Sequence, residues 1–257
     1  MEKVRLQKYI ADCGLMSRRA AEKEIEAGNV TVNGVTATIG ESVTPRKDKV
    51  CLNGEPVVFS KRYLYYLLNK PQGVVTTMSD EFGRRTVRDL LPTKERVYPV
   101  GRLDKDSEGL LLCTNDGDLA NKLMHPAYHL KKTYIVNVRG HVEGSLVDSL
   151  RAMRTLEEEP IAPVEVTLVN RSENASALRF VLSEGKNRQI RRMCESVGLS
   201  VMQLRRVSIG GININGLEVG AWRHLTAKEL SELKAAVEKK GREKNGKGNT
   251  RNRYRKN

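Results

Sequence analysis

The sequence contains few aromatic residues, with one Trp and three Phe among 257 residues. It also lacks any hydrophobic run long enough to cross a bilayer. The first residues carry charges at Glu2, Lys3 and Arg5, where a signal peptide would need an apolar block. These absences predict a cytoplasmic protein that has no membrane partner.

Cysteine is also scarce, and the four that are present, Cys13, Cys51, Cys113 and Cys194, are far apart. No Cys-x-x-Cys pair occurs, so we expect neither a zinc site nor any other metal site. The simplest interpretation is separate buried thiols in a reducing compartment. Nothing resembles a coiled-coil seam, so we also expect a monomer.

Positive charge, in contrast, is abundant, because 45 Lys and Arg outweigh 31 Asp and Glu and give a net charge of +14. This balance favours a polyanionic partner, most simply nucleic acid. Residues 239–257 alone hold nine Lys or Arg and one Glu. Because this segment is almost free of apolar residues, we predict a disordered basic tail, which either aids solubility or contacts phosphates without sequence specificity.

Residues 1–60 are predicted to form a small α+β module. A short helical pattern ends at Gly14, and Ser17 is a suitable N-cap for a second helix over 18–27. Two Asn-Gly pairs, at 33–34 and 53–54, then indicate tight turns between short strands.

Two arginines, Arg18 and Arg19, open the second predicted helix, although cations are unfavourable at a helix N-terminus. Either Glu22 and Glu26 pair with them at helical spacing, or they contact phosphates. The stretches concerned are Ser17-Arg18-Arg19-Ala20 and Gly28-Asn29-Val30-Thr31-Val32-Asn33-Gly34. They resemble the S4 RNA-binding module, and this resemblance implies the phosphate role.

Residues 61–238 are predicted to form a larger α+β domain. Strand patterns occur at 63–68, 134–139, 164–169, 177–182 and 201–207, and helical patterns at 86–91, 118–124, 145–153 and 188–197. Because these patterns mix without a repeating βα unit, a doubly wound sheet is not indicated.

The loop at 101–112 contains the strongest candidate for chemistry. Asp104 lies between glycines and near Arg102, and three leucines at 110–112 follow as a strand-like anchor. A carboxylate held above such an apolar floor can act as a nucleophile or a base. The alternative is an ordinary turn whose aspartates bond their own backbone.

A second candidate element follows Glu184-Gly185, where a turn leads into a strongly basic helix. Its four cations are Lys186, Arg188, Arg191 and Arg192. Ile190 and Met193 have the spacing of a buried face, which leaves the cations free to point at phosphates together with backbone N–H groups. A solvated basic helix face is the alternative.

Four motifs carry a resemblance to a known family. They are Leu68-Asn69-Lys70-Pro71-Gln72-Gly73, Gly101-Arg102-Leu103-Asp104, Lys132-Thr133-Tyr134 and Gln189-Ile190-Arg191-Arg192-Met193. Together they resemble the pseudouridine synthases that modify ribosomal RNA, over nearly all of residues 63–226. The resemblance implies a mixed, mainly antiparallel sheet with flanking helices. The stretches at 187–195 and 220–226 are most similar to members that act on large-subunit RNA.

The resemblance also assigns roles to residues. It implies that Asp104 is the catalytic aspartate, acting either as a nucleophile on the sugar or as a base that forms a glycal. Arg191 would pair with it and keep it ionised, Tyr134 would stack on the target uracil, and Arg102 would fill the space left by the flipped base. Further RNA-binding residues are predicted at Asn69, Lys70, Arg18, Arg19, Lys186, Asn187, Arg188 and Arg192.

The implied reaction is the isomerisation of uridine to pseudouridine after the base has left its stack. No nucleotide, metal or organic cofactor is needed for it. We expect ribosomal RNA as the partner, 23S rather than 16S, with transfer RNA as a further candidate. The alternatives are a non-catalytic RNA-binding ribosome assembly factor and a DNA-binding regulator that reads with the helix at 18–27, although no dimer seam supports the latter.

Overall fold

The computed structural model describes residues 2–58 and 62–250, with side chains described as far as residue 238. Contacts between residues divide the chain into two compact units. The first comprises Met1–Leu64, Pro92–Tyr98 and Thr114–Gly117, and the second comprises Tyr65–Leu91, Pro99–Cys113 and Asp118–Asn257. The first unit therefore contains the predicted module at 1–60 and two short segments from later in the chain.

The first unit begins with two helices and continues as short strands. Its elements are β1 (Val4–Arg5), α1 (Leu6–Asp12), α2 (Arg18–Glu26), β2 (Val30–Val32), β3 (Val35–Thr36), β4 (Ser42–Val43), β5 (Val50–Leu52) and β6 (Glu55–Pro56). The Ser17 hydroxyl accepts a hydrogen bond from the Ala20 N–H at 3.0 Å, which confirms the predicted N-cap of α2.

Strands β3, β2, β5 and β6 form a sheet in that order, with antiparallel neighbours. Asn33 and Gly34 join the first hairpin, and Asn53 and Gly54 join the second. All four have positive φ, between 50° and 86°. That conformation is the one that a two-residue turn of type I′ requires, so both predicted turns are confirmed.

The second unit holds most of the remaining elements. In chain order these are β7 (Tyr65–Lys70), a 3₁₀ helix (Val87–Leu90), β8 (Tyr98–Pro99), β9 (Glu108–Thr114), α3 (Gly117–Met124), a 3₁₀ helix (Pro126–Tyr128), β10 (Lys132–Arg139), α4 (Gly144–Ala152), β11 (Thr155–Leu156), β12 (Glu159–Pro160), β13 (Glu165–Arg171), β14 (Ala175–Leu182), α5 (Gln189–Ser196), β15 (Val201–Ile209), β16 (Ile212–Asn213), β17 (Trp222–His224) and α6 (Ala227–Thr250). The helical pattern at 86–91 is therefore a 3₁₀ helix.

The main sheet has the strand order β13-β14-β10-β15-β9-β7-β17. The pairs β13–β14, β14–β10, β10–β15 and β7–β17 are antiparallel, whereas β15 and β9 are parallel. The predicted mixed, mainly antiparallel sheet is thus confirmed.

Strand β9 is buried along its whole length. Leu110 and Leu111 have no exposed surface, and Leu112 is nearly as deep. A continuous apolar run is expected for a strand that is covered on both faces, and it fixes the end of the Asp104 loop in the core. The leucines at 110–112 therefore anchor the end of the Asp104 loop in the core.

Gly109 allows β9 to approach β15. Its φ is +105°, and a Cβ built there would collide with the Arg206 carbonyl oxygen and lie 2.8 Å from the Arg206 amide nitrogen. Gly109 and Arg206 are opposite each other in the parallel pairing. Only a residue without a side chain fits at this position.

Helix α6 extends into the segment predicted to be a disordered tail. It packs through Leu233 and Val237, which are buried, and its backbone remains helical to Thr250. Residues 251–257 of the predicted tail lie outside the described residues. Within the described ranges, no helix is both long and apolar enough to span a membrane.

Candidate active site

Lys70 holds the loop that carries Asp104. Its ammonium nitrogen donates to the carbonyl oxygens of Ser107 at 2.7 Å, Asp104 at 3.0 Å and Pro71 at 3.1 Å. The side chain has no exposed surface. Burial lowers the pKa of Lys70 to about 8, against the opposing influence of Asp106 and Asp104.

Further hydrogen bonds fix the same loop. The Thr76 hydroxyl donates to the Leu103 carbonyl at 2.6 Å, and the Gly73 N–H donates to the Lys105 carbonyl at 2.8 Å. The loop backbone is therefore tied to residues 70–76 on both sides of Asp104. A carboxylate on a restrained loop is already oriented before a substrate arrives.

Asn69 and Lys70 are both fully buried, which corrects their prediction as RNA-binding residues. The Asn69 side-chain amide donates to the Leu217 carbonyl at 2.8 Å, and the Asn69 backbone carbonyl accepts from the Gly220 N–H at 2.8 Å. Side chains at the inner end of a central strand pack and bond within the protein. These two side chains therefore hold neighbouring loops in place.

Asp104 borders a cavity of about 310 Å³. The lining residues include Arg102, Asp104, Ser107, Tyr134 and residues 184–191. The structure thus brings together three of the four family-like motifs, those at 101–104, 132–134 and 189–193. The Asp104 side chain is 36% exposed, so it is accessible from the cavity.

Helix α5 delivers two guanidinium groups to this cavity, but their partners differ from the predicted ones. Arg188 lies 3.7 Å from the Asp104 carboxylate and 3.1 Å from that of Asp106. Arg191 lies 3.3 Å from the Asp106 carboxylate and donates to the Asp106 carbonyl at 2.9 Å.

The predicted ion pair between Arg191 and Asp104 is therefore not the one observed. Asp106, two residues further along the loop, forms the ion pair with Arg191. Arg188 is the cation that pairs with Asp104. Arg188 is the N-cap of α5 and has a left-handed backbone, with φ of 46°. Arg188 therefore has a different backbone conformation from Arg191, which lies within the helix.

Hydrogen bonds of Gln189 and Glu184, which the sequence did not reveal, hold the turn before α5. The Gln189 amide donates to Glu184 at 2.9 Å, and its oxygen accepts from the Lys186 N–H at 3.1 Å. Glu184 also accepts from the Ala162 N–H at 2.9 Å. A buried glutamine within a predicted helix face was the available signal, because burial of a polar residue requires partners.

Tyr134 lies in β10 and is only 9% exposed, with one face towards the cavity. It is opposite Phe180 on one neighbouring strand and Arg206 on the other. Lys132, two residues earlier, is half-buried, and burial followed by the nearby Arg206 charge lowers its pKa to about 8. The ring therefore sits at a fixed position in a positively charged part of the sheet.

Two further predicted RNA-binding residues, one just before α5 and one within it, form ion pairs with glutamates of the β11–β12 hairpin. Lys186 lies 3.3 Å from the Glu159 carboxylate, and Arg192 lies 3.0 Å from that of Glu157. Arg192 is not among the residues that line the cavity. Asn187 and Arg102 are exposed and do line it.

In the first unit, Arg18 and Arg19 are exposed at the start of α2. Glu22, which could have paired with them, instead accepts from the Gln7 amide at 3.0 Å. In the described part of this unit, no ion pair joins either arginine to Glu22 or Glu26. The alternative in which Glu22 or Glu26 neutralises these arginines is therefore not observed among the described residues.

The cysteines are free thiols. Cys113 and Cys194 are buried, and burial raises the pKa of each thiol to about 12. Cys13 and Cys51 are half-buried. Among the described residues, no group of three or more His, Cys, Asp or Glu is placed to hold a metal ion.

Two family models match the chain. Residues 64–196 match the family described as RNA pseudouridylate synthase, and residues 4–48 match the S4 domain. The second match confirms the predicted S4-like module.

Similar proteins carry related names. Ribosomal large subunit pseudouridine synthase B of Bacillus subtilis (strain 168) is 42% identical over 238 residues, which cover 91% of this chain and 97% of that protein. Dual-specificity RNA pseudouridine synthase RluF of Escherichia coli (strain K12) is 38% identical over 237 residues, covering 91% and 80%. A crystal structure of a pseudouridylate synthase has a TM-score of 0.65 at 29% identity and covers 90% of this chain and 99% of that one.

The motifs at 187–195 and 220–226 favour the large-subunit enzyme designated F within this family. An F enzyme and a B enzyme both stand among the relatives, at 38% and 42% identity. The comparisons therefore establish the family, and the two relatives supply two candidate specificities.

Proposed function

The chain belongs to the RNA pseudouridine synthase family, and we propose that it converts a uridine of ribosomal RNA to pseudouridine with Asp104 as the catalytic residue. The observation that carries this assignment is the position of Asp104. Its backbone is anchored by a buried ammonium group, its loop ends in a buried strand, and its carboxylate opens into a cavity that Tyr134 and three arginines also line.

Two routes fit this position. Asp104 either attacks C1′ of the ribose and releases the uracil, or removes a C2′ proton so that the uracil leaves a glycal behind. In both routes the C1′–N1 bond breaks, the ring turns over and a C1′–C5 bond forms. C5 loses its proton and N1 gains one, so the product is an isomer of the substrate.

Either route uses the carboxylate of Asp104, so the cation that pairs with it is part of the proposed site. We assign this role to Arg191, because its side chain is 14% exposed and that of Arg188 is 44% exposed. Solvent screens the more buried charge less. In the absence of RNA, Asp106 contacts both guanidinium groups, so the assignment requires Arg191 to turn from Asp106 towards Asp104 when RNA binds.

Tyr134 and Arg102 complete the proposed site. The Tyr134 ring offers an aromatic surface on which the flipped uracil stacks. Arg102 is exposed at the edge of the cavity, where it takes the place that the base leaves in the RNA. Uracil has to leave its stack because the glycosidic carbon is otherwise shielded.

The proposed substrate is the large-subunit ribosomal RNA, in the cytoplasm. Support comes from the B relative, which is named for the large ribosomal subunit. The F relative is named a dual-specificity enzyme, so transfer RNA is the second substrate to examine, followed by 16S RNA.

Mapping of pseudouridine in cells without this protein tests the proposal. Ribosomal and transfer RNA are mapped after complementation with wild type or with Asp104→Asn, which removes a charge and little volume. We expect one site in the large-subunit RNA to vanish, to return with wild type and to stay absent with Asp104→Asn, a loss of more than about a thousandfold in rate.

A cell in which no site changes would contradict the catalytic assignment. The chain would then act on RNA without chemistry, as a ribosome assembly factor does, and the variant Asp104→Asn would support growth as well as wild type. RNA binding by purified Asp104→Asn at wild-type affinity provides the control that this variant is folded.

A further inference from the structure

A second cavity, of about 540 Å³, shares Asp104 and Arg188 with the first. Its other lining residues are Gln72, Gly73, Lys105 and Asp106. Its volume lies in the range of about 300–1,000 Å³ that is usual for small-ligand sites. None of the roles assigned above uses Gln72 or Lys105.

Gln72 and Lys105 differ from the other polar residues around Asp104. Both are exposed, and their side chains make no hydrogen bond or ion pair within the part of the chain that the structure describes. By contrast, Arg188, Arg191 and Lys186 each contact a carboxylate. The second cavity therefore offers an amide and an ammonium group that are ready to bind a ligand.

The backbone under these two side chains is rigid. The Gly73 N–H donates to the Lys105 carbonyl, and Lys70 bonds the carbonyls of Pro71 and Asp104. The loop with Gln72 and the loop with Lys105 thus form one surface beside the catalytic carboxylate. Side chains on a fixed backbone lose less entropy when they bind.

The chemistry of these groups fits a nucleotide. An ammonium group binds phosphate as a point charge, and an amide can both donate to and accept from the edge of a base. In an RNA chain the neighbour of the target uridine is joined to it through a single phosphate. A ribose placed at Asp104 therefore leaves that neighbour close to the second cavity.

We propose that the second cavity binds a nucleotide adjacent to the target uridine, with Lys105 at the connecting phosphate and Gln72 at the base. This inference rests on the proposed function, because Asp104 locates the target ribose. It adds a substrate contact outside the site of bond exchange, so it affects binding of RNA and not the chemical step.

The test uses an RNA hairpin that contains the mapped uridine, with a neutral methylphosphonate in place of the phosphate on its 5′ or 3′ side. Wild type, Lys105→Ala and the control Lys122→Ala are compared. Lys122 is an exposed lysine on α3 that lines neither cavity. For wild type we expect one of the neutral linkages to lower kcat/KM about tenfold. The loss should come from a higher KM, with kcat unchanged.

In Lys105→Ala, natural RNA should show that same tenfold loss, and the neutral linkage should add less than about twofold, because the two changes remove one contact. Lys122→Ala should respond as wild type does. The proposal would be overturned if the neutral linkage lowered kcat/KM of Lys105→Ala by a further tenfold. It would also be overturned if neither neutral linkage lowered kcat/KM of wild type.

Gln72→Ala is tested in the same way against an abasic nucleotide on the same side of the uridine. The loss caused by the missing base should largely disappear in this variant, and a full loss would exclude Gln72 as the base contact. A wild-type protein that leaves natural RNA unconverted would instead contradict the proposed function, so the two failures are distinguishable.

Discussion

Lys70 is a residue whose chemical type gives little hint of its position. Lysine is seldom fully buried, yet this one has no exposed surface and donates to three carbonyl oxygens around the catalytic loop. Its three ammonium protons match those three acceptors. A shorter or neutral side chain would remove this donor, at a cost of about 1–3 kcal/mol for each buried carbonyl that is left unsatisfied.

The pKa of Lys70 gives a testable dependence of stability on pH. Burial lowers that pKa to about 8, whereas an unfolded lysine keeps its proton up to about pH 10.4. Between these values the unfolded chain binds more protons than the folded one. The free energy of unfolding of wild type should therefore rise with pH, relative to that of Lys70→Met.

Denaturant titrations at pH values from about 7 to about 10.5 measure this difference. Lys122→Met serves as the matched control, since it removes an exposed lysine in place of a buried one, and it should retain the wild-type pH profile. Parallel profiles for wild type and Lys70→Met would show that Lys70 has an ordinary pKa.

The sequence predicted which residues form the site, but not how those residues pair with one another. Asp104, Tyr134 and Arg191 were predicted from motifs, and all three line one cavity. Which arginine reaches which carboxylate depends on the left-handed backbone at Arg188, which residue types alone do not encode. The burial of Lys70 depends on carbonyl groups of a loop 34 to 37 residues away.

At the scale of elements, the parallel contact between β9 and β15 depends on Gly109. We predict that Gly109→Ala destabilises the protein by about 3 kcal/mol or more, because its Cβ would meet backbone atoms of Arg206 and its φ is unfavourable for alanine. The loss would also displace the loop that ends in β9. Thermal and denaturant unfolding measure the effect.

Gly144→Ala is the control for this substitution. Gly144 begins α4, no heavy atom lies within 4 Å of its added Cβ, and its φ is not in the left-handed region. Its replacement should leave stability unchanged or raise it slightly, since alanine favours helices. Equal effects at the two positions would refute the steric explanation.

Elements specified by local chemistry were predicted well. Ser17 marks the start of α2, and the Asn-Gly pairs at 33–34 and 53–54 mark two hairpins. The hairpin of β11 and β12 was missed, because its turn consists of Glu157 and Glu158 at φ of 50° and 67°, where glutamate is an uncommon choice. The pairing of β9 with β15 was also beyond local patterns, as it joins segments almost a hundred residues apart.

At the scale of the whole molecule, the exposed arginines of α2 should contribute affinity and not chemistry. Replacing Arg18 and Arg19 by alanine is predicted to weaken RNA binding while kcat at saturating RNA stays unchanged. Two lost phosphate contacts should reduce the slope of log Kd against log salt concentration by about 1.5.

Binding measured over a range of salt concentrations checks this prediction. Arg46→Ala with Lys47→Ala removes the same charge from exposed positions in the same unit and serves as the control. An equal change of slope in both variants would indicate a general effect of charge, with no particular role for the start of α2.

The cations in and just before α5 are paired with acidic residues from other parts of the chain, namely Asp106, Glu157 and Glu159. Each of these cations already has an anionic neighbour, so an arriving RNA must exchange one set of partners for another. Only an RNA whose phosphates reach several of these positions at once can offset the contacts that it displaces. If the proposed function holds, we therefore expect these acidic residues to compete with RNA phosphates for the cations, so that recognition depends on the shape of the substrate.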